Sequence, residues 1–230
     1  MNFLKLNFEN KDTLLDSIEI LAKKIANDVQ LKVNNTYYRI VDFEFYAFSQ
    51  DFQDPYTHNS EQSINLHKER GKIYVHRSGM DITCGDGVNR CGILLRSIIK
   101  LGKNENEELG LMIKQYQGPR IVTTEFFSNL NPILDNGSNA ISIIDLNGRN
   151  QDSPHPRSKH IIKTNRVGLP KKTIAEDGID YLNLPLRYVV ILPKFNHNKT
   201  GFEAILKENI ASKRITKEEA NEIIGYNLKL

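Results

Sequence analysis

Three observations predict an α+β fold: one domain with a mostly antiparallel mixed sheet and peripheral helices. Short alternating apolar segments of strand length follow one another through hairpin signals. The clearest helical periodicity lies near the two ends of the chain. The 230 residues, 39% hydrophobic and 26% charged, are enough for one sizeable core and too few for two comfortable ones. The expected organisation is an N-terminal helix over 1–30, a core over 36–190 and C-terminal helices over 200–230.

Residues 11–29, KDTLLDSIEILAKKIANDV, carry Leu14, Leu15, Ile18, Leu21, Ala22 and Ile25 at helical spacing, an amphipathic helix. In LKVNNTYYRIVDFEFY, Asn34-Asn35 predicts a tight turn between two strands, because Asn tolerates positive φ. GKIYVHRSGMDITCG reads as a second hairpin turning near Ser78-Gly79. GILLRSIIKL reads as a buried strand with one charge in its interior, Arg96. NENEELGLMIKQY predicts a short helix, its acids near the N-terminus where the helix dipole favours them. GPRIVTTEFFSNL opens another helix with Pro119 in its first turn. AISIIDL, HIIKTNRVGL and YLNLPLRYVVIL read as strands, and NGRNQDSPHPRSK as a loop. FEAILKENIA and ITKEEANEIIGY close the chain as helices, Thr216 suiting the N-cap of the second.

Composition narrows the function. No apolar run approaches the ~20 residues of a membrane span, and MNFLKLNFENKD has acids where a signal peptide has its apolar core. A cytoplasmic protein is expected, nucleoid-associated if bacterial. A net charge of +3 is compatible with a nucleic-acid ligand without demanding one. Cys84 and Cys91, spaced C-x6-C, make neither a disulfide framework nor a closely paired zinc site, so two reduced, partly buried thiols are expected.

The segment RIVDFEFYAFSQDFQDPYTH holds the chemistry. Alternation places Ile40, Asp42, Glu44 and Tyr46 on one strand face and Val41, Phe43 and Phe45 on the other. A sheet with one solvated face would explain this pattern without any function. A carboxylate flanked by aromatic rings can also activate a water held against it. Tyr46, His58 and His76 offer flat faces for a planar ring, and Arg96 offers a rigid fork of donors to fix the carboxylate. Asp42, Glu44 and His58 could alternatively ligate a divalent ion, although residues two apart on a strand need further ligands.

In several ordered pieces the chain resembles the alkyladenine (3-methyladenine) DNA glycosylase family, single mixed α/β domains that excise damaged purines. RIVDFEFY is similar to that family's strand bearing the catalytic glutamate, and DPYTH to its D-P-x-x-H. GKIYVHRSGM resembles its G-x-L-Y-V-Y-x-x-Y-G-M hairpin, and GILLRS its apolar strand ending in arginine. QGPRIVTTEF resembles its G-P-x-K/R-L helix start, and RVGL and LPLRYVV its later strands. The pieces span about 36–190.

The resemblance implies a monofunctional DNA glycosylase of base excision repair, hydrolysing the N-glycosidic bond of alkylated or deaminated purines. Glu44 would be the general base on a water aimed at C1′, with Arg96 holding that water and the carboxylate. Tyr46, His58 and His76 would sandwich the base. No metal or redox cofactor is expected, and a monomer is. Damaged DNA is the expected partner, its backbone held by Arg120, Arg166, Lys171, Lys172 and Arg187, since helix starts and arginine forks suit phosphates.

The chain departs from the family in places that bear on substrate. His76 stands at a pocket tyrosine and Ser78 at the tyrosine that wedges into the duplex, and NSEQSIN replaces a basic segment. Asp81, Gly85 and Asp86 crowd the region where a base-contacting asparagine is expected. These departures keep two alternatives in play: an N-glycoside hydrolase acting on single-stranded nucleic acid or a free nucleoside, and a non-catalytic nucleic-acid-binding module.

Overall fold

Two long strands organise the sheet. They are β2 (Thr36–Ser49) and β6 (Arg90–Lys103), antiparallel from Tyr37↔Leu101 to Phe48↔Arg90. The computed structural model describes residues 3–103, 109–130, 140–146, 160–171, 177–192 and 199–230. Around the central pair lie β1 (Val29–Val33), β3 (Phe52–Gln53), β4 (Arg70–His76), β5 (Gly79–Cys84), β7 (Leu109–Gln117), β8 (Ile141–Asp145), β9 (His160–Thr164) and β10 (Arg187–Ile191). The outer edge of β2 is divided between β1 at Thr36–Tyr38 and β10 at Asp42–Glu44. The outer edge of β6 is divided between β5 at Gly92–Leu94 and β7 at Ser97–Lys103. Every pairing is antiparallel, and β2 changes register at Val41, a bulge that bends the strand. The α+β class expected from sequence is the class observed, in a curled antiparallel sheet with five helices among the described residues.

Local chemistry accounts for the elements. Helix α1 (Lys11–Asp28) starts at a capping box in which Asn10 and Thr13 satisfy each other's backbone N–H groups. Its buried face, Leu14, Ile18, Leu21, Ala22, Ile25 and Ala26, lies over β1 and β2. Asn34, at φ 50°, makes the two-residue turn between β1 and β2. The second hairpin turns at Arg77-Ser78, with His76 paired to Gly79. Helix α3 (Pro119–Ser128) opens with Pro119 behind Gly118, whose N–H bonds the Arg96 carbonyl at 2.7 Å. Thr216 and Glu219 form a capping box for α5 (Lys217–Ile224).

Two segments differ from the sequence reading. The stretch expected as a short helix over NENEELGLMIKQY is β7 within its described part. The second half of β6 has a free edge, and Gly110 weakens a helix there. Pairing Leu101 with Met112 and Lys100 with Lys114 leaves Ile113 as an unpaired bulge residue, largely exposed. Helix α2 (Glu61–Lys68) was not anticipated; Ser60 caps it. The NGRNQDSPHPRSK segment, read as a loop, lies outside the described residues.

The main core joins the α1 face to Phe43, Phe45, Tyr188 and the inner residues of β5 and β6. A smaller core around Ile162, Phe202, Leu206 and Ala220 fastens α4 (Lys199–Ala211) and α5 to β9. Strand β2 has no solvated face: Ile40 to Phe45 are all buried. No helix among the described residues is long and apolar enough to cross a membrane. Cys84 and Cys91 are free and fully buried, and burial pushes the Cys91 thiol up.

Candidate functional site

Glu44 sits in the middle of β2, opposite Leu94 of β6 and Arg187 of β10. It has no solvent-exposed surface, and each of its carboxylate oxygens has a partner. Oε1 accepts the Val167 backbone N–H at 3.0 Å and lies 3.2 Å from the Arg96 guanidinium. Oε2 accepts the Tyr46 hydroxyl at 2.7 Å. Tyr46 is held in turn by Arg166, whose guanidinium stacks 4.6 Å above its ring. Burial, then the Glu44 charge, raise the Tyr46 phenol, so it stays neutral and donates.

A cavity of about 440 Å³ lies beside Glu44, lined by the Tyr46 and Arg96 that hold its carboxylate. Tyr46, Tyr56, His58, His76, Ser78 and Arg96 contribute to its walls, with Val167–Pro170 closing one side. The structure therefore brings together Glu44, Tyr46, His58, His76 and Arg96, with Glu44 directly behind Tyr46 and Arg96. The volume falls within the ~300–1,000 Å³ of small-ligand sites. Ser78 is exposed at the hairpin tip that forms one lip.

One wall is a cluster built on Asp81, which is buried in β5. His67 Nε2 lies 3.1 Å from Asp81 Oδ2, His76 Nε2 lies 3.2 Å from Oδ1, and His58 Nε2 lies 3.9 Å from Oδ2. The His67 Nδ1 is 2.7 Å from the Ser63 carbonyl and must carry a proton there. Burial alone would raise the Asp81 carboxyl; hydrogen bonds from His67 and His76 outweigh it and hold the group below its usual range. Burial, reinforced by His76, lowers His58. Tyr74 stacks on His76 and meets His58 and His67 edge-on. The cluster needs Gly92 of β6, since a Cβ there would lie 2.7 Å from the His67 ring.

Sequence reasoning did not identify Asp81 as the hub, nor His67, Tyr56 or the Val167 N–H. A charged residue inside the MDITC strand was a usable signal for Asp81. Nothing in the sequence pointed to His67, because helix α2 was not recognised.

The residues expected to contact a nucleic-acid backbone divide. Arg120, at the start of α3, and Lys171 are exposed. Arg166 is enclosed, its guanidinium committed to Asp54 and to the carbonyls of Phe45 and Tyr181. Arg187 holds Asp42 through two hydrogen bonds of 2.9 and 2.7 Å. Arg166 and Arg187, expected to contact phosphates, are both held in ion pairs with buried carboxylates, Asp54 and Asp42. Lys172 lies outside the described residues. The alternative metal set of Asp42, Glu44 and His58 is not assembled: Arg187 takes Asp42, and Arg96, Tyr46 and Val167 take Glu44.

Asp42 and Arg187 line a second cavity of about 570 Å³, which shares Arg96, Val167 and Gly168 with the first.

No protein-family model matches the chain. It is similar to an uncharacterised protein of Acanthamoeba polyphaga mimivirus, 24% identical over 219 residues, spanning 83% of this chain and 93% of that protein.

Proposed function

We propose that the chain hydrolyses the N-glycosidic bond of a damaged purine nucleotide, with Glu44 as general base. The observation that carries this reading is a buried carboxylate, gripped by Arg96 and the Val167 N–H, behind a cavity walled by Tyr46, His58 and His76. Oε1 already holds two donors, so Oε2, with the Tyr46 hydroxyl alone, is the oxygen to take a proton from water. Arg96 spans carboxylate and cavity and can orient that water. General-base help of this kind is worth about 10²–10⁴-fold, and positioning supplies the rest. On this reading the rings of Tyr46, His58 and His76 receive the planar base, and DNA is the partner.

A second reading keeps the reaction and changes the substrate to single-stranded nucleic acid or a free nucleoside. Two observations favour it: Arg166 and Arg187 are engaged by Asp54 and Asp42, and the hairpin tip presents Ser78. A serine cannot fill the gap left by an extruded base as an aromatic ring can.

The test is strand cleavage in hot alkali. Wild type and Glu44→Gln are compared on labelled oligonucleotides carrying hypoxanthine, ethenoadenine or alkylated purines, in single- and double-stranded form, and on free nucleosides. The expected result is base release that Glu44→Gln lowers by about 10²–10⁴-fold. Release from nucleosides that duplex DNA does not improve selects the second reading. Lesion binding without release, unchanged by Glu44→Gln, overturns both and leaves a binding module.

A further inference from the structure

We propose that His58, His76 and Asp81 form a binding site for a divalent first-row transition metal of the zinc type. Their ligating atoms all lie within 4.8 Å of one another. A tetrahedral zinc with bonds of about 2.0–2.2 Å places neighbouring ligand atoms roughly 3.3–3.5 Å apart. The His76 Nε2 to Asp81 Oδ1 separation is already 3.2 Å. The His58 Nε2 is 3.9 Å from the other oxygen, Oδ2, and the His58 ligand atom lies within 4.8 Å of those of His76 and Asp81, so it has to shift inward. Its side chain is 39% exposed and free to make it.

The surroundings are those of a held site. Asp81 is buried, and His67 fixes its second carboxylate oxygen while donating to the Ser63 carbonyl. That is the outer-shell arrangement that orients ligands in metal centres. Gly92 leaves the space that this support requires. Two imidazoles and one carboxylate suit zinc and its neighbours and disfavour magnesium and calcium, which prefer oxygen alone. Binding needs the Nε2 lone pair of His76, so its single ring proton moves from Nε2 to Nδ1. The 3.3 Å contact from the exposed Ser78 N–H is given up. Three protein ligands leave a fourth position, and all three ligand residues line the cavity that Tyr46 and Arg96 share. The sequence pointed to no metal on this set, because the ligands come from a loop and two strands, 58, 76 and 81 along the chain. The inference does not depend on the glycosidase reading, since its test counts metal rather than turnover.

Tag-free full-length protein is stripped with chelator, dialysed, and titrated with Zn²⁺ alone, with bound metal counted per chain. Co²⁺ is added in parallel and followed by visible absorption. The expected result is one Zn²⁺ per chain at micromolar affinity or tighter and a Co²⁺ spectrum of tetrahedral intensity. Both His58→Ala and His76→Ala should weaken binding at least about tenfold. His58 is half-exposed, so its variant should keep the wild-type circular dichroism and remain informative if Asp81 variants fail to fold. Folded wild type that retains no Zn²⁺ at micromolar concentrations overturns the proposal. So does binding that is equal in wild type and both histidine variants.

Discussion

Gly92→Ala separates what strand propensity expects from what the packing dictates. Glycine inside a strand is destabilising by roughly 0.5–1 kcal/mol relative to alanine, so propensity alone expects the variant to gain stability. Gly92 pairs with Tyr46 on one side and Thr83 on the other, and an added Cβ would lie 2.7 Å from both Cδ2 and Nε2 of His67 and 3.2 Å from Asp81 Oδ2. His67 is 1% exposed, with its far nitrogen anchored to the Ser63 carbonyl, so the ring has nowhere to retreat. Overpacking of this kind costs about 1–3 kcal/mol. Parting the buried His67–Asp81 pair costs about 3–5 kcal/mol if it is complete. With partial relaxation and the propensity gain subtracted, the expected net loss is about 2–4 kcal/mol. Urea denaturation followed by circular dichroism measures it, with chelator present so that metal does not contribute. A midpoint equal to or above that of wild type would refute the placement of His67 and Asp81 against β6.

Three further outcomes are expected. Asp42→Asn leaves Arg187 without its bidentate partner at 12–13% exposure and should cost about 2–4 kcal/mol in denaturant unfolding, Glu44 and Glu208 offsetting part of the loss. Asp177 is lowered from its usual range: burial alone would raise it, but the Tyr181 hydroxyl and the Ile179 and Gln53 N–H groups outweigh that. A depressed carboxyl stabilises the fold above its unfolded value and stops doing so as pH falls through its folded value. The melting difference between wild type and Asp177→Asn should therefore be widest near neutrality and close in acid; a constant difference would remove Asp177 as its source. Arg120→Ala and Lys171→Ala should leave stability within about 0.5 kcal/mol, because both side chains are exposed. If these residues touch nucleic acid, each change flattens the salt dependence of binding by about 0.7–0.9 in log–log slope, and an unchanged slope removes that residue from the interface.

The sequence by itself determined the local pieces. Apolar spacing in α1, the Asn34 turn, the Pro119 helix start and the Thr216 cap are local signals whose physics acts within a few residues, and each matches an observed element. Alternation along RIVDFEFY also put Glu44 and Tyr46 on a common face, where the Tyr46 hydroxyl reaches the carboxylate. Partners brought in from far along the chain were decided only by the tertiary structure. Segment 109–117 is a strand because β6 offers it an unpaired edge, which no local pattern reveals. Arg166 and Arg187 look like surface cations in sequence and are internal in the fold, because Asp54 and Asp42 meet them across 112 and 145 residues. Asp81 gathers its three histidines only when α2, the His58 loop and the β4–β5 hairpin converge beside Gly92. Hydrophobic period and capping are short-range and can be read along the chain. Which charge meets which carboxylate depends on sheet register and crossover, and only the folded chain fixes those.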